Sequence, residues 1–108
     1  MAGRVNRGEI WLYEFKSPDE RRPVLILTRQ GVIPYLNTVM VAPITSTLRG
    51  SPGEVALGVG EGLKHESAVN LDHVQTVQQD RLYKYVGSLS GEKMSQVCSA
   101  LAIATGCS

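Results

Sequence analysis

Most of the chain alternates large apolar side chains with polar ones, which is the period of β-strands. The stretch from 9 to 15 shows this best, because its two faces differ in side-chain type: Trp11, Tyr13 and Phe15 on one, Ile10 and Leu12 on the other. The run from Pro23 to Thr28 is a short, continuous series of β-branched and leucine residues, which predicts a strand covered on both faces. Further strands are predicted at Val39 to Ile44, Glu54 to Val59, Ser67 to Val77 and Leu82 to Leu89.

Two segments between the predicted strands indicate turns. Lys16 to Arg22 contains Pro18 and a succession of charges. The stretch from Gly58 to Gly62 is punctuated by glycine, a feature that phosphate-binding loops share. It is not followed by Lys and Ser or Thr in the P-loop order, and no helical run comes next, so a plain turn is favoured.

After Gly91 the period of the apolar positions changes to three and four residues, which predicts a helix. The positions that repeat at this spacing are Met94, Val97, Cys98, Leu101 and Thr105. Ser90 is placed to cap the helix at its start, Glu92 lies in the favourable first turn, and Gly106 stands just past the end. Many short strands followed by one helix imply a mainly β protein of the α+β class, in which the helix covers a small, strongly bent antiparallel sheet or partial barrel.

Length and charge limit the kind of protein this can be. The chain has 108 residues, 11.7 kDa and a net charge of +1, so we expect one domain, 1–108, with no global attraction to a polyanion. A nucleic-acid partner would have to be held by a local patch. No apolar run approaches the roughly 18 residues of a membrane-spanning helix, and the polar start of the chain argues against a secretory signal. We therefore expect a cytoplasmic protein.

The chain has two cysteines, Cys98 and Cys107. A helix would place them about 13 Å apart, beyond the roughly 7 Å that a disulfide can bridge. We expect free thiols, with Cys98 as a small core residue and Cys107 as an exposed residue of the tail.

Polar groups that could contact phosphate occur near two predicted strand ends. Arg21 and Arg22 precede the rigid Pro23, and an arginine held there offers a planar fork that suits a phosphate. The hydroxyl cluster Thr45, Ser46 and Thr47 ends the third predicted strand, and Arg49 follows it closely. The ordinary alternatives are a solvated charged turn and hydroxyls that cap turns.

The segment from 65 to 75 is rich in polar side chains. Strand alternation would place Ser67, His73 and Gln75 on one face and Asn70 on the other. Two histidines near carboxylates permit proton transfer or metal binding, but their spacing matches no zinc motif, so we expect no metal. A polar surface strand is the simpler alternative. Six aromatic residues could in part stack on bases, although most should be core or interface: Trp11, Tyr13, Phe15, Tyr35, Tyr83 and Tyr85.

Four short motifs, taken in order, resemble a known family. They are Arg7-Gly8-Glu9-Ile10-Trp11, Arg22-Pro23-Val24-Leu25-Ile26-Leu27, Val41-Ala42-Pro43-Ile44-Thr45-Ser46 and Glu66-Ser67-Ala68-Val69. Their order and spacing are similar to those of the MazF/PemK toxins, the ribosome-independent endoribonucleases of bacterial toxin–antitoxin pairs. The resemblance extends from about Arg7 to the C-terminal helix.

The resemblance implies an SH3-like or CcdB-like antiparallel partial barrel that forms a homodimer and cleaves single-stranded RNA without metal or another cofactor. Arg22 and Thr45 match the active-site positions of the family, and Ser67 matches a residue that lines the RNA groove. Where many members have glutamine six residues beyond that serine, this chain has His73. The expected partner is an acidic antitoxin. The predicted RNA-binding residues are Arg21, Ser46, Thr47, Arg49, Ser67, Asn70, His73 and Gln75.

Two points remain open at the level of sequence. The segment Lys16 to Arg21 is shorter and more charged than the glycine-rich loop that family members typically have, which bears on the RNA sequence cleaved. The group that removes the proton from the attacking 2′-hydroxyl is not defined, with His73 as a candidate. A non-enzymatic toxin that binds DNA gyrase, as CcdB does, and an inactive interaction module are the alternatives.

Overall fold

The computed structural model describes residues 4–15 and 21–107, which form seven strands and one α-helix. The strands are β1 (Glu9–Glu14), β2 (Arg21–Ile26), β3 (Thr38–Thr45), β4 (Glu54–Leu57), β5 (Ser67–Asn70), β6 (Gln75–Gln78) and β7 (Leu82–Ser88), and the helix is α1 (Gly91–Thr105). Short 3₁₀ turns lie at Gln30–Tyr35, Val59–Glu61, Leu71–His73 and Gln79–Arg81.

The strands form one antiparallel sheet with the order β4-β5-β3-β2-β1-β7, and β6 also pairs with β3. β3 is long enough to change partners along one edge: Thr38–Val41 pair with β6, while Ile44 and Thr45 pair with β5. A strand shared in this way bends the sheet. The predicted strongly bent antiparallel sheet with a C-terminal helix is therefore confirmed, as an open sheet rather than a closed barrel.

Each face of the sheet buries its own apolar cluster, as strand alternation predicts. One cluster contains Ile10 and Leu25 and packs against Val97 and Ala100 of α1. The other contains Trp11, Tyr13, Val24, Ile26 and Val41, with Phe15 packed against it. The residues from Val24 to Thr28 are all buried, so the prediction of a strand covered on both faces is confirmed.

The helix begins and ends where the capping residues predict. The Ser90 Oγ accepts a hydrogen bond from the Lys93 backbone N–H at 3.1 Å, and Gly106 adopts a left-handed conformation with φ of 75°. The prediction for Cys98 is wrong: it is exposed, because successive helical residues point about 100° apart and Val97 occupies the buried face. Both cysteines are free, and Cys107 is exposed as predicted.

Two predicted boundaries also need correction. The stretch from Ser67 to Val77 is not one strand, because the 3₁₀ turn Leu71–His73 separates β5 from β6. Arg21 and Arg22 do not belong to a turn; they begin β2, opposite Glu14 and Tyr13 of β1. The rest of the predicted turn, 16–20, lies outside the described residues. Within those residues, no helix is long and apolar enough to cross a membrane.

Candidate active site

A cavity of about 550 Å³ opens at one end of the bent sheet. Five neighbouring strands each contribute a side chain to it: Ser67 from β5, Thr45 from β3, Arg22 from β2, Leu12 from β1 and Lys84 from β7. The register explains why they meet. Thr45 lies opposite Ala68, and Leu12 lies between Pro23 and Lys84 on its two neighbours. Adjacent strands thus bring residues far apart in the sequence into one row.

The remaining wall of the cavity is the segment Gly62–His65, which packs against β7. Two glycines permit this approach. Gly62 has φ of 97°, and a Cβ added to it would meet the backbone of Val86, while a Cβ on Gly87 would overlap the carbonyl oxygen of Glu61. The segment therefore bridges the two ends of the open sheet by close packing of its backbone.

The turn that precedes this wall, 58–61, is stabilised by hydrogen bonds between its own residues. The Glu61 Oε1 accepts a hydrogen bond from the Gly58 backbone N–H at 2.6 Å, and the Glu61 N–H donates to the Gly58 carbonyl at 3.0 Å. The prediction of a turn at 58–62 is confirmed. Its contribution to the cavity is to position the residues that follow it.

The charged side chains that line the cavity, within the described part of the chain, are all cationic: Arg22, Lys64 and Lys84. His65 lies on the same wall. No described carboxylate lines the cavity, so a local positive patch exists in a protein whose net charge is only +1. Such a cavity suits an anionic ligand.

Three aliphatic hydroxyl groups, those of Thr45, Ser46 and Ser67, accompany these cations. The Thr45 Oγ1 accepts a hydrogen bond from the Thr47 backbone N–H at 3.1 Å, so its position is fixed while its own hydrogen is available to a ligand. The buried Ser67 Oγ donates to the His65 carbonyl at 3.1 Å. The Thr45 hydroxyl can therefore donate to a ligand, whereas the Ser67 hydroxyl stabilises the wall of the cavity.

Four of the residues predicted from the sequence come together in the cavity, namely Arg22, Thr45, Ser46 and Ser67. Six others do not line it: Arg21, Thr47, Arg49, Asn70, His73 and Gln75. The predicted cationic concavity of Arg22 with Arg49 is thus not formed by this cavity.

Three of the six residues outside the cavity, Arg21, Asn70 and His73, contact other side chains of the protein. The Arg21 Nη2 is 3.4 Å from the Glu14 Oε2, and its guanidinium lies 5.8 Å from the centre of the Tyr83 ring. The Asn70 Nδ2 and the His73 Nδ1 are 3.0 Å apart at the 3₁₀ turn that ends β5. That turn removes His73 from the strand face on which alternation placed it.

Sequence reasoning did not select Lys64 and Lys84, and it considered His65 and Tyr85 only as members of larger sets. For the lysines the sequence holds no signal beyond their charge. Lys84 reaches the cavity because it lies opposite Leu12, in a β1–β7 register that shifts on both sides of Trp11 and Leu12. Over the ranges 4–15 and 21–107, no group of three or more His, Cys, Asp or Glu could hold a metal ion.

A bent antiparallel sheet with a cationic, hydroxyl-bearing cavity at its end defines a small β protein whose site suits an anionic ligand. Residues 6–105 match the family described as PemK-like, MazF-like toxin of type II toxin-antitoxin system. The chain belongs to this family, as its four motifs predict.

Curated relatives and solved structures agree with the family assignment. The chain is 42% identical over 109 residues to the probable endoribonuclease MazF5 of Mycobacterium tuberculosis, covering 100% of this chain and 99% of the relative. It is 41% identical over 83 residues to the endoribonuclease MazF3 of the same species, covering 77% and 81%. The solved toxin MazF-mt6 of M. tuberculosis superposes with a TM-score of 0.85 at 36% identity, covering 93% of this chain and 98% of that one.

A second solved structure carries a partner in its name. It is an endoribonuclease in complex with its cognate antitoxin from a mycobacterial species, and it superposes with a TM-score of 0.85 at 27% identity. The match covers 94% of this chain and 95% of that chain. The fold is thus the same in a relative that forms an antitoxin complex.

Proposed function

We propose that this protein is the toxin of a type II toxin–antitoxin pair and an endoribonuclease that cleaves single-stranded RNA, including mRNA, and so inhibits translation and growth. The family assignment and the two relatives named endoribonucleases support the activity. The observation that carries the site assignment is the convergence of Arg22 and Thr45 in one cationic cavity.

The proposed reaction uses a nucleophile that the RNA itself contains. The 2′-hydroxyl oxygen attacks the adjacent phosphorus; the O2′–P bond forms as the P–O5′ bond breaks. The products carry a 2′,3′-cyclic phosphate and a 5′-hydroxyl, and the reaction is independent of metal. The protein must therefore align the attack and stabilise the extra negative charge on the phosphoryl oxygens.

Arg22 is the proposed source of that stabilisation. An arginine guanidinium is cationic and planar, and it can donate two parallel hydrogen bonds to phosphate oxygens. The Arg22 backbone is held in β2, opposite Tyr13 and next to Pro23, so its starting position is defined before RNA binds. A donor of this kind commonly lowers the barrier by about 3 to 4 kcal/mol.

Thr45 is the proposed second donor, to a non-bridging phosphoryl oxygen, because its hydroxyl oxygen is already fixed by the Thr47 N–H. Ser46, Lys64 and Lys84 are placed to contact neighbouring phosphates. The six predicted RNA-binding residues outside the cavity would contact only nucleotides that flank the cleaved bond. Of the site predicted from the sequence, only the residues that line the cavity are therefore proposed to contact the cleaved phosphate.

The cationic residues of the cavity also favour an acidic protein partner. An acidic segment of an antitoxin would compete with RNA for the cationic cavity, and the antitoxin complex of a structural neighbour supports such a partner. We also propose a homodimer that acts in the cytoplasm, where mRNA is found. A gyrase-binding toxin gains no support, since α1 packs most of its apolar residues on its own sheet and leaves Ile103 as its exposed large apolar side chain.

Cleavage of a long RNA by the purified protein tests this proposal. Arg22→Ala should lower the cleavage rate about 10²- to 10³-fold, because it removes the charged donor to the reacting phosphate. Primer extension and end-group analysis should show 5′-hydroxyl and cyclic-phosphate ends, unaffected by a chelator.

The matched control is Arg29→Ala, which removes an exposed arginine outside the cavity and should leave the rate within about twofold. Equal cleavage by the Arg22→Ala and wild-type proteins would overturn the site assignment. Absence of cleavage by the wild-type protein would overturn the activity.

A further inference from the structure

We propose that His65 accepts the proton of the attacking 2′-hydroxyl, an inference that rests on the function proposed above and adds a catalytic residue to it. His65 lines the same cavity as Arg22 and Thr45. Its side chain is exposed and can meet a substrate. The proposal moves the proton acceptor from His73, the candidate in the sequence, to the other histidine of the chain.

The position of His65 is defined by its backbone. The Ser67 Oγ donates to the His65 carbonyl at 3.1 Å, which fixes the turn into β5. On the other side, the close approach of Gly62 to Val86 fixes the segment against β7. His65 thus lies between two anchored points, in a cavity that Arg22, Lys84 and Tyr85 also line.

The chemistry of the other lining residues singles out His65. A proton acceptor must be unprotonated near neutral pH and must lie within reach of the hydroxyl. Arginine, lysine and tyrosine side chains ordinarily keep their protons there, which sets aside Arg22, the two lysines and Tyr85 among the described residues of the cavity. A neutral imidazole has one ring nitrogen free to accept a proton.

The second histidine is in a different environment. The His73 Nδ1 lies 3.0 Å from the Asn70 Nδ2, and His73 does not line the cavity. It lies on a 3₁₀ turn that the Asn70 side chain caps. One ring nitrogen is therefore engaged within the protein, away from Arg22 and Thr45.

The proposed step balances. The imidazole nitrogen of His65 takes the 2′-hydroxyl proton as the O2′–P bond forms and the P–O5′ bond breaks. The departing 5′-oxygen takes a proton from solvent, and the imidazolium then returns its proton to solvent. The neighbouring cations, Arg22, Lys64 and Lys84, stabilise the phosphoryl charge but do not move the proton.

The test is the pH dependence of cleavage of a short single-stranded RNA that contains one mapped cut site. For the wild-type protein, kcat/KM should rise with pH through a one-proton acidic limb and then level off. His65→Gln, which keeps the approximate size and polarity of the side chain, should lower the plateau about a hundredfold or more and remove that limb. Binding of the same RNA with 2′-deoxyribose at the cut site should stay within about threefold, because the variant affects proton transfer rather than affinity.

Two further variants separate a chemical role from a structural one. His65→Gly should be partly rescued by added imidazole, an effect that a merely structural residue would not show. His73→Gln should retain the acidic limb of the wild-type profile, whatever its effect on RNA affinity. Circular dichroism and urea unfolding of each variant confirm that the proteins compared are folded.

The outcomes distinguish this proposal from the one on which it rests. A wild-type protein that cuts RNA while His65→Gln keeps both the rate and the limb would overturn the role of His65 alone. Loss of the limb in His73→Gln would overturn it as well. A wild-type protein that cuts no RNA at any pH would overturn both proposals.

Discussion

Two polar regions of this small sheet protein differ in what their hydrogen-bonding groups do. At the cavity, Arg22 and Lys84 are exposed and available to a ligand. At the other, the side chain of Gln79 is only 1% exposed, and its Nε2 donates to the carbonyls of Ile33, Leu36 and Thr38 at 3.1, 2.9 and 3.1 Å. The buried polar side chain therefore supports the fold, whereas the exposed polar side chains at the cavity are available to a ligand.

The largest effect on stability is expected at the buried region. Gln79→Leu keeps much of the volume but removes the donor to three backbone carbonyls. The free energy of unfolding in urea should fall by about 2 to 4 kcal/mol, because one buried and two part-buried hydrogen bonds are lost and a buried carbonyl left without a partner costs about 1 to 3 kcal/mol. Gln78→Leu, at an exposed position of β6, is the matched control and should change it by less than about 0.5 kcal/mol. Similar stabilities for the two variants would refute the structural role of Gln79.

A smaller effect, on both stability and activity, is expected where the cavity wall packs against β7. Gly87→Ala introduces a Cβ that overlaps the Glu61 carbonyl oxygen, so the wall segment must move. The free energy of unfolding should fall by about 1 to 3 kcal/mol, and RNA cleavage should fall with it. Gly31→Ala is the control, because its Cβ meets nothing within 4 Å. Unchanged activity in the Gly87→Ala variant would show that the wall does not depend on this contact.

The smallest effect is expected for a single cation of the cavity. Lys84→Ala should leave unfolding unchanged and weaken the binding of an uncleavable RNA about three- to tenfold at low salt, since it removes one phosphate contact. The slope of log Kd against log salt should fall by about 0.7. Lys93→Ala serves as the control, because the Lys93 Nζ donates to the Ala56 carbonyl outside the cavity. An unchanged salt slope for Lys84→Ala would remove this residue from the RNA contact.

The strands and the helix could be predicted because their apolar residues repeat every second residue in the strands and every three or four residues in the helix. The alternation along β1 separated Trp11 and Tyr13 from Ile10, and these residues do join opposite apolar clusters. Ser90 and Gly106 marked the ends of α1. The break after Asn70 was missed because a hydrogen bond from the Asp72 N–H to the Asn70 side chain favours a turn within an otherwise alternating pattern. Local competition of this kind has no periodic signature.

The site was predictable only in part for a related reason. Arg22, Thr45 and Ser67 were found through motifs, and the structure does bring them together. Lys84 could not be found, because its place depends on the shifted register between β1 and β7. The same limit applies to His65: only the packing of its segment against β7 shows that it, rather than His73, lies at the cavity.

Because the protein as a whole is nearly neutral, its cationic cavity attracts RNA only at short range. At physiological ionic strength, charges are screened beyond a Debye length of about 8 Å, so a nucleic acid a few nanometres away experiences almost no attraction. Long-range steering would contribute little to the association rate, and encounters would be frequent but short-lived unless a phosphate enters the cavity itself. A protein of this charge, +1 in total, would sample the abundant structured RNA of a cell without being retained on it.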